Sequence, residues 1–365
     1  MPKIKEVIRF LEQVAPPVYQ ESYDNSGLLT GNAEAELTKA LITLDTIEEV
    51  IDEAITLNCN LIISHHPIIF KGLKKLTGSN YVERTIIKAL KHDIAIYAIH
   101  TNLDSVLQGV NHKIAEKLGL INLTILSPKK QLLKKLVTYI PVADTDKVMK
   151  EVYTAGAGHI GNYSECSFRI EGIGSFKPNE AANPTIGKAD ETEFVKENRV
   201  EVIFPAHLED RIITSLIEAH PYEEPAYDVF LLENSHKEVG AGIVGELPEQ
   251  VSELDFLMNL KGKMNVPLVR HTAFLDKKVA KIAVCGGSGS FLLRDAIRAK
   301  ADFFVTADFK YHEFFDAEKK IVIADIGHYE SEVYTKELIY EILSKKFANI
   351  ALILSKVVSN PIRYT

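Results

Sequence analysis

Short apolar stretches alternate with amphipathic ones through the N-terminal third of the chain. Ile4, Val7, Ile8 and Leu11 recur at helical spacing, which predicts a helix over residues 4–14. Further on, the pattern predicts strands at residues 40–44, 60–64 and 94–99 and helices at residues 46–57, 81–92 and about 110–118. Short apolar strands that are separated by helices are typical of a parallel sheet with helices on its faces.

The C-terminal part of the chain repeats this alternation. The pattern predicts strands at residues 281–285, 302–306, 321–325 and 350–354 and helices at residues 290–299, roughly 311–318 and 330–346. Gly286–Gly289 follows the first of these strands and is predicted to form a tight turn. Its backbone N–H groups could also cradle a phosphate, because the segment precedes a predicted helix.

The middle of the chain has a different order of elements. It predicts strands at residues 135–142, 168–174, 199–205 and 226–232 and helices at residues 145–155 and 207–219. The resulting order β-α-β-β-α-β is the signature of a ferredoxin-like domain. We therefore predict a discontinuous α/β metal-binding domain with mostly parallel sheets, residues 1–129 and 236–365, interrupted by an inserted ferredoxin-like α+β domain, residues 130–235.

Composition narrows the class of protein. The chain has 365 residues, a length that favours two domains, and it lacks an apolar run of the roughly 20 residues that a membrane helix needs. Its N-terminus lacks the apolar stretch of a secretory signal. Cys59, Cys166 and Cys285 form no CxxC pair, which predicts a reducing, cytoplasmic location. The net charge of −8 argues against general nucleic-acid binding.

Polar side chains follow six of the predicted strands where each strand ends. In open α/β sheets, ligands bind outside the carboxyl ends of the strands, so residues remote in sequence can become neighbours there. The polar groups at these ends are Asp45, His65 and His66, His100 and Asp104, Gly286–Gly289, Asp308, and His328.

Two adjacent histidines provide the strongest chemical signal. His65 and His66 come directly after an apolar strand and before Pro67, so their side chains can diverge toward two ions where the chain turns. Neutral imidazole is a common ligand of zinc, iron and nickel. The alternative is a pair of surface or hydrogen-bonded histidines without a metal.

Two further pairs join an imidazole to a carboxylate four residues away. His100 with Asp104, and His328 with Glu332, would each share one face of a helical turn. A carboxylate has two oxygens and can bridge two ions, a role that we assign to Glu332. The alternatives are that Asp104 caps a helix, that His100 only orients a ligand, and that Glu330 and Glu332 occupy a solvated first turn.

Three imidazoles and two carboxylates come together in the set His65, His66, Asp104, His328 and Glu332. This mixture favours a pair of borderline transition-metal ions over magnesium or calcium, which prefer oxygen ligands throughout. It also leaves positions open for water, as a catalytic site requires. Glu332 and His312 are the candidate catalytic residues. His312 could act as a general acid or base, although an uninvolved histidine is the commoner case.

Six motifs, in this order, span nearly the whole chain: YDNSGLLTG, ISHHPIIF, HTNLDSVLQGVN, VCGGSGS, TADFKYHE and DIGHYESE. Together they resemble the GTP cyclohydrolase I type 2 homologue family, also called the NIF-three-like family. The middle segment resembles the version with an inserted PII/CutA-like domain, through GAGHIGNYSECSFRIEGIGSF, NPTIG and HPYEEPAYDV. The sequence departs from the family at Tyr23, where members usually carry Trp, outside the proposed ligand set.

The resemblance implies a dinuclear site with two divalent ions per chain, zinc, iron or manganese, in a toroidal homohexamer. The ligands that it implies are His65, His66, Asp104, His328 and Glu332. It also implies a metal-dependent hydrolase resembling GTP cyclohydrolase I, in which metal-bound water opens the guanine ring of GTP or cleaves a nucleotide or phosphoester. The alternative is a non-enzymatic regulatory or scaffold ring whose inserted domain senses a ligand or partner.

Overall fold

The computed structural model of the protein describes residues 2–365. Its internal contacts divide these residues into two compact units. The larger unit consists of the chain up to Ser127 together with Glu238–Thr365, and the smaller unit is Pro128–Lys237. None of the helices within residues 2–365 is long and apolar enough to cross a membrane.

The strands and helices follow one another closely along the chain. The strands are β1 (Gly27–Thr30), β2 (Lys39–Thr43), β3 (Leu61–Ser64), β4 (Ala95–Ala98), β5 (Ile121–Pro128), β6 (Leu133–Pro141), β7 (Ser167–Phe176), β8 (Glu193–Pro205), β9 (Tyr227–Leu232), β10 (Gly240–Ser252), β11 (Arg270–His271), β12 (Lys278–Ser288), β13 (Phe303–Ala307), β14 (Val322–Asp325) and β15 (Ala351–Leu354). The α-helices are α1 (Ile4–Val14), α2 (Glu48–Leu57), α3 (Tyr81–Lys91), α4 (Thr101–Ser105), α5 (Val110–Leu118), α6 (Thr145–Thr154), α7 (Glu209–Ala219), α8 (Glu253–Met264), α9 (Leu293–Arg298), α10 (His328–Glu332) and α11 (Thr335–Lys346). Short 3-10 helices lie at Pro17–Tyr19, Ala206–Leu208, Ser290–Leu292 and Tyr311–Ala317.

The first sheet of the larger unit has the strand order β1-β4-β3-β2-β15. Strands β4, β3, β2 and β15 pair in parallel, and β1 pairs antiparallel with β4 at one edge. Every residue of β3 and β4 is buried, which explains why both are short runs of apolar and small side chains. The apolar side of α1, with Ile4, Val7, Ile8 and Leu11, belongs to the same core.

The second sheet of the larger unit has the order β11-β14-β13-β12-β10-β5. Only its centre is parallel, since β12, β13 and β14 run together while β10 and β11 pair antiparallel with their neighbours. The second sheet is therefore mixed. The prediction of mostly parallel sheets agrees with the first sheet, but in the second sheet only with the three central strands. The C-terminal half of β10 is largely exposed. An antiparallel strand can have one face in solvent.

The smaller unit has one antiparallel sheet of order β7-β8-β6-β9. Helix α6 connects β6 to β7, and helix α7 lies between β8 and β9. The core of the unit forms between the sheet and the two helices, with Leu136, Phe204, Val148 and Ile212 among its buried side chains.

Three local predictions differ from the structure. Strand β12 continues through Gly286 and Gly287 to Ser288, past a register shift, where a tight turn was expected. The segment Tyr311–Ala317 is a 3-10 helix. In place of the predicted long helix at residues 330–346 the structure has two helices, α10 and α11, separated by Val333 and Tyr334, whose backbone angles stay in the helical region.

Candidate metal centre

The two adjacent histidines stand at the carboxyl end of β3, as predicted. The backbone N–H groups of His65 and His66 donate to the carbonyls of Thr43 and Leu44, at 3.2 and 2.9 Å. These bonds continue the parallel pairing with β2 past the end of the strand and fix both residues. His65 is fully buried, and the side chain of His66 is 20% exposed, so the two rings face different surroundings.

Imidazole and carboxylate groups from both sheets of the larger unit meet at this point. Three overlapping groups have potential ligand atoms within 4.8 Å of one another, namely His65 with His66 and His100, His66 with His328 and Glu332, and His65 with Asp104 and Glu332. The five predicted ligands thus lie together. The structure adds His100, whose role the sequence left open.

Each of four imidazoles is anchored through its Nδ1 atom. His65 Nδ1 lies 2.8 Å from the carbonyl oxygen of Ile99. The other three Nδ1 atoms meet carboxylates, in the pairs His66–Asp45 at 2.7 Å, His100–Asp24 at 2.8 Å and His328–Asp308 at 2.6 Å. A neutral ring that donates its Nδ1–H in this way keeps the lone pair of Nε2 for a metal ion.

Glu332 occupies the middle of the cluster. Its Oε2 lies 2.9 Å from His66 Nε2 and 3.1 Å from His328 Nε2, and its Oε1 lies 3.9 Å from His65 Nε2. The side chain is only 3% exposed. Burial alone would raise the pKa of Glu332, but its contacts with the three histidines hold that pKa well below the usual range. Glu332 is therefore a buried carboxylate that stays ionised.

The carboxylate charge in turn keeps protons on the histidines when no ion is bound. Burial disfavours the imidazolium form of His66, but Asp45 and Glu332 outweigh it and raise the pKa of His66 to about 10. The same balance, with Asp308 and Glu332 as partners, raises the pKa of His328 to about 11. A divalent cation would satisfy these carboxylates and displace the protons.

Two buried polar atoms in the cluster lack a hydrogen-bond partner among residues 2–365. They are His65 Nε2 and Asp104 Oδ1, which face each other at 3.6 Å. Burial and then the nearby Glu332 charge raise the pKa of Asp104 to about 7. Unsatisfied buried polar atoms are costly in native proteins, so two atoms that both offer lone pairs and lie at this spacing fit a shared metal ion.

Gly287 has a specific part in this geometry. Its φ of +62° suits glycine, and a Cβ at this position would overlap Oε1 of Glu332. Its N–H donates to Ser331 Oγ at 2.9 Å. The glycine segment therefore makes room for the central carboxylate, a role that neither the tight-turn nor the phosphate interpretation included.

A cavity of about 390 Å³ opens onto the cluster. His66, His100, Asp104, His328 and Glu332 all line it. Three exposed aromatic side chains also line it, Tyr23, Phe70 and Phe291, and the rings of Tyr23 and Phe70 stack at 6.3 Å. A substrate could therefore reach the cluster while an apolar ring of that substrate lies against these aromatic side chains.

His312 lies elsewhere in the structure. It is exposed on the 3-10 helix Tyr311–Ala317, and its recorded ring contacts are Tyr311 and Phe315. Among the described residues, those that line the cavity do not include it.

The carboxylates that orient the rings were not assigned from the sequence. Asp45 and Asp308 were noted only as polar groups at strand ends, and Asp24 only as part of a motif. The strand-end position was the available signal for the first two. Burial alone would raise the pKa of Asp24, but His100 and Thr101 hold it below its usual range.

The fold and the cluster define a two-unit α/β protein whose larger unit carries a candidate metal centre. The family described as Duf34/NIF3 (NGG1p interacting factor 3) matches residues 2–361, and the chain belongs to this family. This confirms the resemblance that the motifs predicted.

Relatives of known name and structure agree with this membership. A GTP cyclohydrolase 1 type 2 homolog of Bacillus subtilis (strain 168) is 40% identical over 99% of this chain and 98% of its own length. One of Halalkalibacterium halodurans is 39% identical over 98% of each chain. The solved structure of a Bacillus cereus protein related to NIF3 has a TM-score of 0.88 at 38% identity, covering 100% of this chain and 99% of that one.

Proposed function

We propose that the protein is a metal-dependent hydrolase that holds two divalent transition-metal ions, zinc, iron or manganese, in each chain. The observation that carries the proposal is that His65, His66 and His328 are each anchored at Nδ1 and turn Nε2 toward the carboxylates of Asp104 and Glu332. The proposed ligands are His65, His66, Asp104, His328 and Glu332.

Two of the three groups of potential metal ligands share Glu332, which supports a site for two ions. His66 and His328 lie beside Oε2 of Glu332, while His65 Nε2 lies 3.9 Å from Oε1 and forms a second group with Asp104 and Glu332. Glu332 belongs to both groups and would be the ligand that the two ions share. Ions bound there would supply Lewis acidity and an activated nucleophile at neutral pH. Asp45 and Asp308 keep the rings of His66 and His328 in position.

The side chains that line the cavity support the proposal that the substrate has a flat ring and a polar group. Tyr23, Phe70 and Phe291 offer aromatic faces on which a base could stack, while the reacting bond would lie at the cluster. The relatives named GTP cyclohydrolase 1 type 2 homolog point to a nucleotide such as GTP. The proposed reactions are hydrolytic opening of the guanine ring and hydrolysis of a nucleotide or phosphoester.

Metal content and turnover test this proposal together. Protein produced with zinc, iron and manganese available should contain up to two transition-metal ions per chain by elemental analysis. The loaded protein should then hydrolyse a member of a panel of nucleotides and phosphoesters, and treatment with a chelator should remove that activity. Protein that carries no metal under any of these conditions would refute the metal centre, whereas tight metal binding without turnover would refute only the hydrolase.

Replacing the carboxylate that orients His66 should weaken the site without removing a ligand. Asp45→Asn keeps the shape of the side chain but loses the charge that holds His66 Nδ1 at 2.7 Å. Such changes typically weaken metal affinity by roughly 10–100-fold, which competition with a chromogenic chelator measures. Asp52→Asn is the matched control, because that exposed carboxylate on α2 pairs with Lys88. Equal affinity in the two variants would show that Asp45 has no orienting role.

We also propose that the smaller unit is an inserted ferredoxin-like domain. Its strand order β7-β8-β6-β9, with α6 and α7 between strands, supports this assignment. Family resemblance supports a homohexameric ring, which light scattering of the metal-loaded protein would test. The competing function is a non-enzymatic ring that senses a ligand, and the observation in its favour is a separate cavity within the smaller unit.

A further inference from the structure

The smaller unit contains an open cavity of about 560 Å³, and all the residues that line it belong to this unit. The end of strand β7 forms one side, and the segment Lys177–Ile186 forms another. Tyr139 and Tyr222 contribute aromatic surface. The volume is in the range of small-molecule sites, roughly 300–1,000 Å³. The cavity is therefore large enough for a compact organic ligand.

A buried carboxylate reaches this cavity. Glu197, on strand β8, is 8% exposed and belongs to the cavity wall. Its Oε1 accepts a hydrogen bond of 2.9 Å from the hydroxyl of Tyr222. The structure records no ion pair for Glu197 among the residues it describes. A buried carboxylate with a neutral partner and no cation is costly, so the group fits a ligand that brings the positive charge.

The backbone of the neighbouring strand is shaped around this carboxylate. A Cβ at Gly174, on β7, would overlap Oε2 of Glu197. Gly174 itself lines the cavity, so Oε2 lies at the cavity wall rather than inside the core. Glycine at this position therefore leaves space for the second carboxylate oxygen beside the cavity.

The groups around Glu197 do not supply the missing charge. His220 Nε2 donates to the carbonyl of Tyr139 at 3.0 Å, while its Nδ1 accepts from the N–H of Tyr222 at 3.1 Å. Burial lowers the pKa of His220, so the ring is neutral and serves to place Tyr222. Burial and the hydrogen bond to Glu197 raise the pKa of Tyr222, which therefore remains a hydroxyl donor.

The rest of the lining combines aromatic faces with excess negative charge. The rings of Phe176 and Tyr222 lie 5.7 Å apart at an angle of 58°. Glu223 and Glu224 add two further carboxylates. The cation in the lining is Lys177, whose Nζ lies 3.7 Å from the Asp190 carboxylate. A carboxylate next to aromatic faces is the arrangement that recognises an organic cation.

We propose that this cavity binds a small organic cation, an amidinium, guanidinium or ammonium group attached to a flat or apolar body. The Glu197 carboxylate takes the charged group, and Phe176 and Tyr222 contact the apolar body. This ligand site is separate in residues and chemistry from the proposed metal centre, whose ligands all lie in the larger unit.

Calorimetric titration of the full-length, metal-loaded protein with benzamidine and with benzamide tests this proposal. The two probes have nearly the same shape, but only benzamidine is a cation at neutral pH. We expect one benzamidine per chain, with an affinity at least about tenfold higher than that of benzamide, because a charged hydrogen bond contributes that much. Equal affinity for the two probes, or no binding of benzamidine in the millimolar range, would overturn the proposal.

Variants of the full chain locate the binding. Glu197→Gln should lower benzamidine affinity about tenfold or more, to the level of benzamide. Glu201→Gln, on the same strand, is the matched control and should bind benzamidine like the parent, because Glu201 pairs with Lys135 and Arg199 outside this cavity. Should Glu197→Gln fail to fold, Ile186→Trp at a half-exposed position would fill the cavity and should abolish binding. Parent-like binding by either folded variant would refute the site.

Discussion

Glu332→Gln should release at least one of the two proposed metal ions and lower any hydrolase activity at least about 100-fold. Loss of a residue that only orients a ligand typically costs 10–100-fold in metal affinity or activity, and a bridging ligand should cost more. The amide keeps the size of the side chain but removes the charge that lies 2.9 Å from His66 Nε2 and 3.1 Å from His328 Nε2. Elemental analysis and the rate of substrate hydrolysis measure the two effects.

Two control variants separate the ligand from its surroundings. Glu330→Gln makes the same chemical change on the same short helix, but the carboxylate of Glu330 accepts from Asn360 and should leave both ions bound. His312→Ala should also keep both ions, since His312 is exposed and outside the cavity lining. If His312 is a general acid or base, activity alone should fall by roughly 10²–10⁴-fold. If Glu332→Gln kept two tightly bound ions while His312→Ala lost them, the assignment of Glu332 as a metal ligand would be wrong.

The local parts of the candidate site could be predicted because they rest on short-range geometry. His328 and Glu332 are four residues apart, and α10 places both side chains on one face. His65 and His66 follow an apolar strand, whose carboxyl end is where ligands gather in α/β sheets. A strand end and a helical spacing can be read from consecutive residues, so these four positions did not depend on the tertiary fold.

The orienting carboxylates could not be assigned in this way. Asp24 lies 76 residues before His100, and Asp45 lies 21 residues before His66. No periodicity links such partners, because the register of one strand end against another decides the contact. Gly287 is a similar case, since its need for a small side chain arises only from the approach of Glu332.

The fold shows the same division between local and tertiary information. The apolar spacing of residues 4–14 predicted α1 with its buried side, because that pattern repeats within one element. The orientation of β10 against β12 did not follow from either strand's sequence. The break after Glu332 was also missed, since residues 330–346 carry a continuous helical pattern and the two residues at the break keep helical backbone angles.

Deleting Pro128–Lys237 should leave a folded protein that still binds metal. All five proposed ligands lie outside the deleted residues. The chain leaves the larger unit at the end of β5 and returns at the start of β10, and these two strands are neighbours in the second sheet. Leu126 lies against the position of Gly242, and Leu123 against that of Gly245, so the cut ends lie close together. A short Gly/Ser turn can therefore replace the deleted segment.

The expected product unfolds cooperatively, as circular dichroism would show, and contains as many ions per chain as the parent. It should have lost benzamidine binding, because Glu197 and the whole cavity of the smaller unit are removed with the segment. The parent protein with the same Gly/Ser turn inserted after Gly161, in an exposed loop, controls for the added linker. A soluble, cooperatively folded product without metal would contradict the discontinuous metal-binding domain, since residues 128–237 would then contribute to the centre.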